Sequence, residues 1–326
     1  MPADWGTAER LPYQRILVTG AQGFVGRHFV PVLAGRLPQG ARVVLAARNA
    51  MSSIQNNYNV VTFDLEKPDT VVAAVAETRP DLVIHLAAQA SVGRSTKNSS
   101  ATWSTNLCGS LILADALAKA APDATFLFAS SVEVYGLTFN DEIATEASPL
   151  RPLSAYARSK AAAEAMLADV LPGSARLIVA RASNHSGWGQ SEAFVVPAFA
   201  AQIARIERGA PSSIRVGNLT AERDFLDVRD VVSAYLALLA GATTLPSRST
   251  FNVASGHTVS IGTILDRLRA MSPVKTAVEL DPERMRPSEI SRAAVDASAI
   301  TKAVNWRPRY ALEDMLAQVL ANQREQ

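Results

Sequence analysis

Short, nearly continuous apolar runs recur along the first half of the chain at 15–19, 42–46, 60–62, 82–85, 125–129 and 177–180. Their lack of polar alternation predicts strands buried on both faces. Between them, 23–37, 70–77, 101–120 and 155–170 carry helical spacing, and in the third Leu107, Leu111, Ala114 and Leu117 share one face. This alternation predicts a parallel sheet with crossover helices. Pro31 falls inside the first predicted helix, where its missing N–H predicts a kink. After residue 181 Pro, Gly and Arg become frequent, and helices predicted at 199–208, 231–239, 261–271 and 312–321 alternate with short β-like pieces.

Composition narrows the class. The chain has 326 residues, 48% apolar and 19% charged, with 32 basic against 30 acidic side chains and a formal net charge of +2. Nothing in that balance calls for nucleic acid or an anionic membrane as partner. Cys108 is the single cysteine, which excludes an internal disulfide framework, zinc ribbon or iron–sulfur cluster; no metal is expected. The first ten residues carry Asp4 and Glu9 and no apolar core, and no run reaches the roughly 18 apolar residues of a membrane helix. The expectation is a cytoplasmic enzyme or ligand-binding protein.

Chemistry enters at Arg15-Ile-Leu-Val-Thr-Gly20-Ala-Gln22-Gly23-Phe24-Val25-Gly26, a strand, a glycine turn and a helix start. Gly20 allows the turn, Gly23 lets backbone approach a pyrophosphate, and Gly26 permits close packing of the helix whose N-terminus faces the phosphates. Gln22, Phe24 and Val25 complete the expected cofactor contacts. The fold expected from this motif and the alternation is α/β: a Rossmann-type doubly wound parallel sheet with a smaller C-terminal α/β substrate-binding domain. The division expected is a dinucleotide domain over 1–181, with 225–254 returning to its sheet, and a substrate domain over 182–224 and 255–326. At the end of the second strand stands Arg48, with no carboxylate, which favours NADP(H) and leaves NAD(H) open; a solvated loop arginine is the plainer reading. Asp64 and Leu65 after the third strand are assigned to the adenine side, and Leu86, Ala87 and Ala88 after the fourth to the nicotinamide side.

Tyr156 and Lys160 stand one turn apart on a predicted helix, and Ser130-Ser131 ends the preceding strand. A neighbouring ammonium, together with the positive nicotinamide ring, is expected to bring the phenol, which ordinarily titrates near pH 10, toward the working range.

With these residues the chain resembles an extended short-chain dehydrogenase/reductase. Thr19-Gly20-x-x-Gly23-x-x-Gly26, His85-Leu86-Ala87-Ala88, Ser130-Ser131-x-x-x-Tyr135-Gly136 and Tyr156-x-x-x-Lys160 stand in order across about residues 14 to 322. The resemblance implies Ser131, Tyr156 and Lys160 as the catalytic triad and a homodimer through a four-helix bundle of the helices at 101–120 and 155–170. The C-terminal half is similar to the nucleotide-sugar branch, in particular its GDP-6-deoxy-D-mannose (GDP-4-dehydro-rhamnose) reductases. Asn184-His185-x-Gly187-x-Gly189-Gln190-Ser191, Phe194-Val195, Val216-Gly217-Asn218-Leu219, Arg223-Asp224-Phe225-x-Asp227 and Arg286-Pro287-Ser288-Glu289 carry that likeness. It implies a GDP-sugar held by Ser91, Asn184, Val195, Arg215, Asn218, Arg223 and Arg286, and reduction of a C4 keto group. A diphosphate calls for cations of the Arg223 and Arg286 kind. The branch usually has Phe before Asn184 and Pro at 188; here Ser183 and Trp188 stand there, at a position expected by the substrate entrance.

Two other readings stay open. Glu133, in Ser131-Val132-Glu133, matches the carboxylate that GDP-mannose 4,6-dehydratases use as a base, so dehydratase or epimerase chemistry is the nearest rival. A catalytically silent nucleotide-sensing protein with this fold is the non-enzyme alternative.

Overall fold

A computed structural model describes residues 10–48, 58–285 and 290–326. The first six strands are β1 (Arg15–Thr19), β2 (Arg42–Ala47), β3 (Asn59–Thr62), β4 (Leu82–His85), β5 (Thr125–Ser131) and β6 (Arg176–Ala182). Between them run α1 (Phe24–Ala34), α2 (Pro68–Thr78), α3 (Val92–Lys97), α4 (Ser99–Trp103), α5 (Gly109–Ala120) and α6 (Ala155–Val170). Then follow β7 (Asn184–Ser186), α7 (Val195–Glu207), β8 (Ser213–Val216), β9 (Glu222–Asp227), α8 (Val228–Ala240) and β10 (Arg248–Val253). Last come β11 (Thr258–Ser260), α9 (Ile261–Ala270), β12 (Ala277–Leu280), β13 (Arg292–Ala293), α10 (Ser298–Val304) and α11 (Leu312–Arg324).

The large sheet has the order β10-β6-β5-β4-β1-β2-β3, and all its pairs are parallel. Every strand but β10 feeds both faces. Ile16, Val18, Val43 and Leu45 join α1 and α8 on one side, while Leu17, Val44, Val83, Phe126 and Phe128 join α2, α5 and α6 on the other. Sequential strands run outward from β1 in both directions, so the chain reverses between β1 and β4. Ligands of such sheets bind at the carboxyl ends of the strands at that reversal.

In the C-terminal part, β9 pairs in parallel with β7 and β13 and antiparallel with β11, and α7, α9 and α11 share a core beside it. Strands β8 and β12 form a separate parallel pair. Within 225–254, β10 alone joins the large sheet; Phe225 to Asp227 stay in the β9 sheet, and α8 packs on the large sheet beside α1, with Tyr235 against Phe29.

Two local expectations need correction. The helix expected at 101–120 is interrupted by a π-helical turn, Ser104–Cys108, between α4 and α5. Its extra residue lets the buried Asn106 amide turn inward, where it meets the Gln89 backbone. The helix expected at 23–37 ends at Ala34 and continues through Pro31 as one element. Among the described residues no helix is long and apolar enough to cross a membrane.

Candidate active site

The glycine turn sits where β1 meets α1. Gly20 has φ +72°, and a Cβ there would lie 2.6 Å from the Ala87 nitrogen, so glycine answers both backbone conformation and close approach. A Cβ at Gly26 would stand 2.4 Å from the Gly20 oxygen, which presses the first turn of α1 onto the loop. No side chain caps α1, and its leading N–H groups are therefore open to an anion. A glycine cradle ahead of an uncapped helix fits a dinucleotide pyrophosphate. Gln22 and Gly23 are exposed on this turn, Phe24 and Val25 half-buried behind it.

Arg48 is exposed just past β2. The Asp64 carboxylate accepts the Glu66 N–H at 3.1 Å. Leu65 is buried under Gly109, whose Cβ, if present, would meet its side chain at 2.5 Å; it belongs to the core more than to an open site. The N–H groups of Leu86 and Ala87 donate to the carbonyl and hydroxyl of Thr19, both at 3.2 Å, and Ala88 follows, half-buried.

The catalytic candidates meet at the carboxyl end of β5. Ser154 caps α6 by accepting the Ala157 N–H at 3.1 Å, which sets Tyr156 in the first turn. The Tyr156 phenol lies near the Ser131 side chain. Lys160 donates to the Ala129 carbonyl at 2.7 Å and lies 4.5 Å from the centre of the Phe128 ring. Burial pushes Tyr156 up to about 12; the Ser131 side chain opposes this and the Glu133 charge adds to it. In the free protein burial thus dominates at Tyr156, and Lys160 is engaged by a carbonyl. Burial brings Lys160 itself down to about 8 against the pull of Glu164. The Glu133 N–H donates to the Ser131 hydroxyl at 3.2 Å, and burial raises its carboxyl while the Arg223 charge holds it back.

Arg223 reaches this group from β9. Its guanidinium donates to the carbonyls of Glu222 at 2.8 Å and Ile290 at 3.3 Å. Asn184 opens β7 opposite Phe225, two residues from Arg223, and Val195 opens α7, half-buried. Ser91 donates its N–H to the Gln89 side-chain oxygen at 2.7 Å and accepts from the same amide at 3.0 Å. Arg215 is exposed on β8, and the Asn218 oxygen already accepts from the N–H and hydroxyl of Thr220, each at 2.8 Å. Arg215 thus belongs to the separate β8–β12 pair, and Asn218 to the loop just past β8. Arg286 lies outside the described residues.

The two departures have structural partners. Ser183 donates to the Asp224 carboxylate at 2.8 Å, a bond that the usual phenylalanine could not make. The carbonyl of Trp188 lies 2.8 Å from the His28 Nε2 and its indole, 49% exposed, packs edge-on against the same ring, which sets this loop on α1.

Two groups escape the sequence reading. Glu164, a further turn past Lys160, accepts from Ser130 and takes Arg181 at 3.1 and 2.6 Å; the two charged side chains are only 8% and 7% exposed. Arg181 continues to the Tyr135 hydroxyl at 2.9 Å and that hydroxyl to Asn252 at 2.7 Å. The second is Asn106. A charged residue within the apolar β6 run and an amide on the apolar side of a helix were the available signals.

A doubly wound sheet, a glycine cradle and a Ser–Tyr–Lys group at its carboxyl edge define an extended short-chain dehydrogenase/reductase. The chain belongs to the family described as GDP-mannose 4,6 dehydratase, whose model matches residues 17–319. It is similar to GDP-6-deoxy-D-mannose reductase of Pseudomonas aeruginosa, 34% identical over 95% of this chain and 97% of the relative. It is also similar to dTDP-glucose 4,6-dehydratase of Xanthomonas campestris, 29% identical over 93% and 91%. Among solved structures, RMD from Pseudomonas aeruginosa complexed with NADPH superposes with TM-score 0.80 at 32% identity, covering 96% of this chain and 99% of that one. UDP-glucose 4-epimerase of Thermus thermophilus with NAD gives 0.82 at 28%, covering 95% and 99%. The protein is thus an NAD(P)-dependent enzyme of a nucleotide-sugar family, and the two solved neighbours hold NADPH and NAD respectively.

Proposed function

We propose that the protein reduces the C4 keto group of GDP-4-dehydro-6-deoxy-D-mannose, giving GDP-6-deoxyhexose (GDP-D-rhamnose). The observation that carries this reading is the likeness, along nearly the whole chain, to a GDP-6-deoxy-D-mannose reductase, with Ser131, Tyr156 and Lys160 gathered at the carboxyl end of β5. A carbonyl reduction consumes a proton at oxygen, and a group in its acid form at neutral pH is suited to give one.

The glycine turn and α1 would hold the dinucleotide, with Arg48 available to its adenosine phosphate, and the bound group would supply hydride. Ser131 donates to the substrate oxygen as charge develops there, and Tyr156 delivers the proton. Lys160 steadies the phenol's surroundings with its positive charge. Arg223, joined by Arg286, Asn184 and Val195, holds the GDP portion, and that remote binding fixes the sugar against the phenol. Residues 1–181 form the cofactor domain, and 182–224 with 255–326 the substrate domain. Two copies associate through α5 and α6, supported by Leu111, 41% exposed on α5. The working compartment is the cytoplasm, which suits a single free cysteine.

Purified protein given GDP-4-dehydro-6-deoxy-D-mannose should oxidise one NADPH per sugar. Conversion of GDP-mannose with no net cofactor change, and no action on the keto sugar, would replace this reading with a dehydratase.

A further inference from the structure

His85 is fully buried at the end of β4, between Phe126 and Phe128, and no step above uses it. Its Nδ1 lies 2.7 Å from the Thr19 hydroxyl and its Nε2 3.0 Å from the Ser110 hydroxyl. The proton positions follow from counting donors. Ser110 donates its one hydroxyl hydrogen to the Asn106 carbonyl at 2.6 Å, so it can only accept from the imidazole. Nε2 is therefore the protonated nitrogen, Nδ1 carries the lone pair, and Thr19 must donate to it. Thr19 in turn accepts the Ala87 N–H. From Asn106 the side-chain amide donates to the Ser159 hydroxyl at 3.0 Å, and Ser159 donates to the Tyr156 carbonyl at 2.8 Å.

Every group along this path has one consistent direction, from the strand beside the glycine turn to the first turn of the catalytic helix. A protonated imidazole would present two donors and reverse the Thr19 link, leaving the Thr19 hydroxyl hydrogen without this acceptor. Burial and the nearby Lys160 charge both act against that form, holding His85 down to about 3.

We propose that His85, as the neutral Nε2–H tautomer, is a positioning residue that locks the height of Tyr156 on α6 to the Thr19-Gly20 cofactor turn. It touches neither substrate nor cofactor. The inference rests on the reductase reading for its kinetic consequence and on geometry alone for its tautomer, and the two are tested separately.

The tautomer is read by nitrogen-15 NMR of the imidazole in the full-length protein with and without NADPH. A single Nε2–H form that does not titrate between about pH 5 and pH 9 is expected, since an unperturbed histidine would titrate near 6.5. An Nδ1–H form, or a titration in that range, overturns the assignment whatever the enzyme turns over. The lock is read by a double-mutant cycle on Thr19→Val and Ser159→Ala, residues at opposite ends of the path. In the His85 protein their effects on kcat/KM for the keto sugar should miss multiplicative behaviour by about threefold or more. In a His85→Phe background, with folding checked by thermal melting, the two effects should multiply. Multiplicative effects in both backgrounds overturn the lock. If the keto sugar is not a substrate, the same cycle is run on the NADPH dissociation constant, and the same two outcomes there support or overturn the lock. Should His85→Phe fail to fold, Ser110→Ala breaks the same path one link on and replaces it.

Discussion

The side of the site made by β1, β4, β5 and α6 and the side made by the small β9 sheet hold their polar groups in different ways. On the first, His85, Asn106, Glu164 and Arg181 are buried and bound side chain to side chain. The second buries such a pair too, Ser183 on Asp224, but its cations are held differently: the guanidinium of Arg223 donates to backbone carbonyls, and Arg215 is exposed. The difference matches two tasks. A proton donor has to keep its position and state before the substrate arrives, since catalysis by fixed dipoles depends on their not reorganising. A phosphate-binding arginine has to exchange its partners, and carbonyl bonds are easily given up for the stronger, charge-assisted ones to phosphate oxygens.

Four experiments bear on this contrast. The largest effect is expected at the proton donor: Tyr156→Phe should lower kcat by about a thousandfold, within the usual range for removing an acid–base group, while the NADPH dissociation constant stays within about twofold. Near-normal turnover would remove Tyr156 from the chemistry. Next comes the buried pair behind it. Arg181→Met leaves Glu164 charged and unpaired, and should cost about 3–5 kcal/mol in urea unfolding; a loss near zero would mean that this side is not held by its ion pairs. Across the site, Arg223→Ala should raise KM for the GDP-sugar about thirtyfold with kcat little changed, as loss of a bond to a charged group does. A kcat loss that outweighs the KM change would place Arg223 among the preset groups instead. The smallest effect is that of pH. The Lys160 charge is present below about 8 and lost as pH rises through that value, whereas Tyr156 keeps its proton to about 12. Log kcat/KM should therefore fall on the alkaline side with a slope approaching −1 above about pH 8, and a flat profile to pH 10 would separate the ammonium from activity.

The same contrast explains what the chain disclosed before its structure. Helix α6 coincides with the stretch 155–170, and β1 and β4 with 15–19 and 82–85, because apolar periodicity is a local property. The glycine turn and the Ser131, Tyr156 and Lys160 group were legible for a similar reason: short spacings on one helix or one turn fix their geometry. The π turn at Ser104–Cys108 was not, since it depends on Asn106 finding the backbone of Gln89, 17 residues earlier. Nor was the burial of Tyr156, which pushes its phenol up in the free protein, because burial is a sum over the whole fold. Arginines of the second half could be read as cations but not assigned to a common surface, and Arg215 and Arg223 stand on different strand pairs.

Strand β10 gives this architecture a history. Its Asn252 completes the polar group around Tyr135 and Arg181, and its pairing with β6 closes the end of the large sheet. During synthesis, however, β6 emerges about seventy residues before the end of β10, with the whole β9 strand and α8 between them. At roughly 5–20 residues per second the ribosome leaves Leu177, Ile178 and Val179 on a bare sheet edge for several seconds. The nascent chain thus carries a six-stranded sheet with a sticky margin until its seventh strand arrives.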